Sequence, residues 1–135
     1  MNITLDAGVD APAAARHEMA RQRSRLGGRF DDALIVVTEL VTNSVLHGPP
    51  GGTIDVVTSV TGRYMHIEVT DGGTGFQGKT PDGRDLFQGM TPDGRGLRIV
   101  SAIATRWGVV RGPCRVWADL DLTAPTARGE DAGST

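Results

Sequence analysis

The stretch DALIVVTELVTNSVLHG, residues 32–48, decides how the rest of the chain is read. Apolar residues recur in it at helical spacing, and Gly48 with Pro49-Pro50 stops it, so it reads as a helix opened by Asp31 or Asp32. Leu34, Val37, Val41 and Val45 project from one side and form the expected core stripe. On the other side Glu39, Asn43 and His47 are spaced by four residues. Each turns only about 40° from the last, and the three make a row roughly 12 Å long. Ile35, Val36 and Leu46 border that row. An exposed Glu and Asn on an amphipathic helix is the simple reading, but a purely solvated face is not usually flanked by apolar residues on both sides. A carboxylate held among Ile, Val and Leu is costly unless something charged or polar meets it.

Beyond the prolines the period changes from helical to twofold. Ile54, Val56, Thr58 and Val60 share one parity, and Met65, Ile67 and Val69 share another after a turn at Thr61-Gly62, which predicts an antiparallel hairpin. Asp71 keeps the parity of Met65, Ile67 and Val69, so its carboxylate is expected on the apolar side at the strand's end. Gly73 and Gly75 follow, where missing side chains let a ligand approach the backbone. Asp-Gly-Gly is also a favoured plain turn, and from these residues alone both readings stand.

From Gly72 to Asp93 the chain is glycine-rich, carries Pro81 and Pro92, and has no sustained period. A connection this long inside a small domain is commonly a lid or a binding loop. It contains TPDGR twice, at Thr80 to Arg84 and at Thr91 to Arg95. Only the second copy runs into Gly96-Leu97 and a helical pattern with Leu97, Val100 and Ala104 on one face. There the unpaired N–H groups and positive end of a helix lie beside two glycines, an anion site. In the first copy Asp85 follows Arg84 and would repel phosphate, so that copy reads as a Pro-Asp-Gly turn within the lid. GTGFQGKT (73–80) carries the letters of a Rossmann fingerprint and of a P-loop, but Pro81-Asp82-Gly83 follows where either motif must open a helix, so neither is expected.

The flanks complete the pattern. Residues 2–6 suit an edge strand, and Asp10-Ala11-Pro12 starts a first helix expected from Ala11 to Leu26, ended by Gly27-Gly28. Its Arg16, Arg21, Arg23 and Arg25 read as a solvated basic face before they read as a site for an acidic partner. Trp107 to Val110 and Val116 to Leu122 form two last strands around a Gly112-Pro113 turn. The order predicts an α+β fold, a two-layer sandwich of a mixed, mainly antiparallel sheet with helices on one face. Residues 1–123 are expected to form one domain, with 124–135 a polar, disordered tail.

Composition narrows the function classes. At 135 residues and 39% hydrophobic, the chain supports one core. A formal net charge of −2 provides no overall field to draw in nucleic acid or an anionic membrane, so neither is an expected partner. Cys114 is alone, which excludes an internal disulfide and a cysteine metal cluster. The N-terminus lacks the charged and apolar regions of a signal peptide, and a cytoplasmic location is expected.

Together ELVTNSVLHG (39–48), DGGTGF (71–76) and GRGLRIV (94–100) resemble the N, G1 and G2 boxes of the GHKL ATPases, the Bergerat ATP-binding fold. Within that superfamily the small size, the ELVTN form of the first box and the late VWADL strand look most like the bacterial anti-sigma-factor serine kinases. The resemblance implies roles at matching positions for ATP and Mg²⁺. Asn43 would coordinate Mg²⁺, and Glu39 would be the catalytic residue that orients or deprotonates the attacking hydroxyl. Asp71 would accept a hydrogen bond from the adenine amino group, with Gly73 and Gly75 against the nucleotide. Backbone N–H groups of Gly94, Gly96 and Leu97 would hold phosphate, with charge from Arg95 or Lys79, while His47 reads as structural. The implied partners are an anti-sigma-factor antagonist, a sigma factor for sequestration, and a second copy in a homodimer. Where relatives commonly carry Gly-Lys-Thr before Val-Trp, this chain has GPCRVW, with Arg115 near that place. A nucleotide-binding regulatory module without significant kinase activity is therefore the alternative.

Overall fold

Period-two alternation builds the sheet. The computed structural model describes residues 1–47, 51–71, 95–110 and 115–123, and in it strands β1 (Asn2–Asp6), β2 (Thr53–Thr61), β3 (Tyr64–Asp71), β4 (Arg106–Val110) and β5 (Arg115–Asp121) form one five-stranded sheet. The strand order is β1-β2-β3-β5-β4, and every pairing among the described residues is antiparallel, in the α+β arrangement expected, with a sheet foreseen as mixed but mainly antiparallel. The hairpin from β2 to β3 turns at Gly62, whose φ of 61° lies in the left-handed region that glycine adopts without strain. Register sets the inner face. Ile54, Val56 and Thr58 stand opposite Asp71, Val69 and Ile67, and across the next ladder Val69, Ile67 and Met65 stand opposite Val116, Ala118 and Leu120. The apolar members of this set are buried at 1% exposure or less.

Helices cover that face. The central one, α3 (Phe30–His47), packs against β2, β3 and β5 on one side and against its helical neighbours on the others. Helix α1 (Ala11–Met19) has its proline in the first turn as expected, but the Asp10 side chain makes no capping bond. The continuous helix expected to Leu26 is broken into α1, a 3₁₀ turn at Ala20–Gln22 and a single turn α2 (Arg23–Leu26). Gln22 gives the physical reason. Its side chain turns into the core, where Nε2 donates to Thr58 Oγ1 on β2 at 3.2 Å, and the backbone tightens to aim it there. Gly27, with φ 55°, then ends α2.

The buried face of α3 differs from the stripe expected of it. Ala33, Val36, Val37, Leu40, Val41, Asn43 and Ser44 are buried, whereas Leu34 and Val45 are only partly so and pack at the margin of the core. Val37 and Val41 behave as predicted. Val36, expected beside the polar row, is fully buried, and Leu46 is 51% exposed. A helix touched by a sheet and by helices on both flanks buries more than one stripe.

The last helix, α4 (Arg95–Ile103), is shorter than the expected pattern and ends before Ala104, which packs at the core margin. Val100 is fully buried as predicted. On the outer face of the sheet, His66 lies between Glu68 and Asp119, and Arg106 and Arg115 pair with those same carboxylates. His66 also stacks on Trp117, with ring centroids 5.8 Å apart. The tail at 124–135, the 111–114 turn and the lid lie outside the described residues.

Candidate functional site

Asp71 ends β3 with the predicted parity. Met65, Ile67 and Val69 before it are fully buried, and Asp71 is 4% exposed on the same face, opposite Ile54 at the strand tip. A carboxylate reaches this position because alternation carries it there, and a buried one needs donors around it.

Asn43 lies deeper than an amphipathic row predicts. Its side chain is fully buried, and among the described residues neither Oδ1 nor Nδ2 has a hydrogen-bond partner. Buried amides are ordinarily satisfied, so two orphaned atoms on one side chain call for an explanation. Glu39, one turn earlier, stays at the rim. It is partly buried and lines a groove of about 270 Å³ with Arg16, Asp31, Leu34, Ile35 and Thr38. The row seen in sequence is thus split between a partly buried acid and a buried amide. Arg16 is exposed, as a solvated basic face implies, yet it lines the same groove as Glu39.

The position of α4 follows from its far end. Arg29 Nη2 donates to the Ile103 carbonyl at 3.3 Å, and Arg29 Nε lies 3.2 Å from Asp32 Oδ2, with both side chains at 5% exposure or less. Asp32 and Asn43 are three turns apart on α3 and face within about 20° of each other. The side of α3 that holds the C-terminus of α4 is therefore the side that carries Asn43. Helix α4 packs on α3. The first turn of α4 lies about 12 Å along the helix axis from Ile103. Helix α3 also packs on β3, the strand that ends at Asp71.

The profile of a family described as histidine kinase-, DNA gyrase B- and HSP90-like ATPases matches residues 28–135. The chain belongs to this ATPase family. No individual curated protein matches it significantly. The match takes in α3, the tip of β3 and the start of α4, the three elements on which the expected boxes lie. Members of the ATPase family bind ATP, generally with Mg²⁺. The orphaned amide fits that cation: a buried carboxamide oxygen is a hard ligand, and among the described residues no cluster of His, Cys, Asp and Glu offers a rival metal site.

Several expected site residues fall elsewhere. Gly73, Gly75, Lys79 and Gly94 lie outside the described residues, as do the side chains of His47, Arg95 and Leu97; the backbone of Arg95 to Leu97 forms the first turn of α4. Sequence reading missed Arg29 and took Asp32 only as a helix-opening residue. The signal was the spacing of three between an Arg and an Asp at a helix start. No helix among the described residues is long and apolar enough to cross a membrane.

Proposed function

We propose that this ATPase-family chain binds Mg²⁺ and ATP and acts as a regulatory serine kinase on an anti-sigma-factor antagonist, with sequestration of a sigma factor as its second activity. The observation that carries the reading is Asn43, a fully buried amide with neither polar atom satisfied among the described residues, on the helix row that bears Glu39. Such a group costs about 1–3 kcal/mol when left unpaired, and a bound cation offsets that cost.

Each residue has a chemical task. The Asp71 carboxylate accepts a hydrogen bond from the exocyclic amine of adenine and repels the carbonyl that guanine presents at that place, so it selects the base. Asn43 Oδ1 would hold Mg²⁺ as a hard oxygen ligand. Backbone N–H groups at the start of α4 would hold phosphate, where the helix dipole favours negative charge, with further donors and charge expected from Gly94, Arg95 or Lys79 by the family resemblance. Glu39, at the rim, is placed to meet a hydroxyl brought by a partner. It would orient the serine and take its proton as the bond from serine oxygen to the γ-phosphorus forms and the bond from that phosphorus to the β–γ bridging oxygen breaks, releasing ADP. When bound, ATP supplies the γ-phosphoryl group and Mg²⁺ neutralises the charge that develops on it.

The test is transfer of radiolabelled γ-phosphate to co-purified antagonist. Asp71→Asn is expected to lose both ATP binding and transfer, whereas Glu39→Ala keeps binding and loses transfer by 10²-fold or more, roughly the share general-base catalysis contributes. If ATP binds well and label never reaches an antagonist, the kinase reading fails and the protein is a nucleotide-set regulatory module.

A further inference from the structure

The buried pair between Arg29 and Asp32 takes no part in the chemistry above, and its position suggests another task. Asp32 belongs to the first turn of α3, Arg29 precedes it by three residues, and the guanidinium reaches across to the last carbonyl of α4. One planar side chain thus ties the start of one helix to the end of another. Helix α4 has nine residues, packs on α3 and β4, and ends in carbonyls that its own ladder leaves unsatisfied. A cation at that end is favoured by the helix dipole, and Asp32 balances the charge within a site almost sealed from water.

We infer that Arg29 is a positioning residue for the phosphate-holding end of α4, fixing the axial position and rotation of that helix against the Asn43 side of α3; this rests on the nucleotide reading above. The argument is one of leverage. A buried ion pair seldom adds net stability over apolar residues of the same size, so stability gives little reason for charges here. The hydrogen bond from Arg29 Nη2 to the Ile103 carbonyl does, because a guanidinium donates only in fixed directions within its own plane. About 12 Å away the first turn of α4 must present its N–H groups to phosphate within a few tenths of an ångström, and a short helix free to slide or roll would miss. The adenine-recognising Asp71 sits on the sheet and is not held by this strut.

The proposal therefore separates phosphate recognition from base recognition, and a ratio measures the separation. Affinities for Mg²⁺-ATP and for adenosine are compared by titration in the native protein, in Arg29→Lys, which keeps the charge and loses the fork, and in the double variant Arg29→Met with Asp32→Leu, which removes both charges at similar volume. Circular dichroism checks the fold of each. In the variants ATP affinity should fall about tenfold, the worth of one charge-assisted hydrogen bond, while adenosine affinity stays within twofold of native. An unchanged ratio of the two affinities in a folded variant overturns the proposal, and so does an equal fall for both ligands, which would mark a merely structural pair. A native protein that binds adenosine and ATP equally, or neither, overturns the nucleotide reading beneath it, and that result is seen before any variant is made.

Discussion

Replacing Asn43 by leucine should raise the stability of the ligand-free protein and remove its metal-dependent response to ATP. The side chain is fully buried on α3 with Oδ1 and Nδ2 both lacking partners among the described residues, while Val36 and Leu40 on the same helix are fully buried beside it. An unpaired buried amide costs about 1–3 kcal/mol, and leucine has nearly the same volume with no polar atom to desolvate. The variant should therefore gain about 1–3 kcal/mol, which for a chain of this size moves Tm up by about 4–12 °C. Calorimetric melting without nucleotide measures this directly. The second half of the experiment adds Mg²⁺-ATP. At a hundred times its Kd, ligand stabilises the native protein by about 2.7 kcal/mol, and the variant should show little of that shift. A chelator should reduce the native response and leave the variant unaffected. The reasoning is refuted if the leucine variant is less stable than native by more than about 1 kcal/mol, since the amide would then be satisfied and structural. It is equally refuted if Mg²⁺-ATP stabilises the variant as much as the native protein.

Two further predictions concern the outer sheet face. His66 Nε2 lies 2.9 Å from Glu68 Oε1 and Nδ1 lies 2.6 Å from Asp119 Oδ1; partial burial opposes its charge, but hydrogen bonds and attraction from the two carboxylates outweigh that and raise its pKa. A group that binds its proton more tightly when folded contributes fully below its unfolded value of 6.5 and loses that contribution as pH rises through the folded value. Glu68 has the opposite sign: burial again opposes its charge, yet bonds from His66 and Arg115 lower its pKa, so its contribution fades on acidification. Urea midpoints of native protein should decline between pH 6 and 8.5 more than those of His66→Asn, and parallel curves would refute this. Gly108→Ala should destabilise by about 1–3 kcal/mol, because the new Cβ would sit 2.8 Å from Trp117 Nε1 and push the indole off His66. Trp117→Val in the same chain should recover most of that loss; no recovery would place the strain elsewhere.

What the sequence carried by itself was local and periodic. Alternation in YMHIEVTD placed Met65, Ile67, Val69 and Asp71 on the buried face without knowledge of any neighbour, because the strand period is fixed by backbone geometry. Glycine marked the β2–β3 hairpin because Gly62 adopts a left-handed φ that other residues reach only with strain. Tertiary structure alone decided the strand order, with β5 inserted between β3 and β4, since antiparallel pairing leaves the choice of neighbour to the packing of the whole sheet. It also decided how α3 is buried. A helical wheel offers one stripe at Leu34, Val37, Val41 and Val45, but α3 is enclosed by the sheet, α1 and α4, and that enclosure drew Val36 and Asn43 out of solvent while Leu46 remained exposed. The tie from Arg29 and Asp32 to Ile103 spans more than seventy residues of chain, beyond the reach of any periodicity. Residue spacing determines which side chains share a face; only the packing of one element on another determines what that face meets.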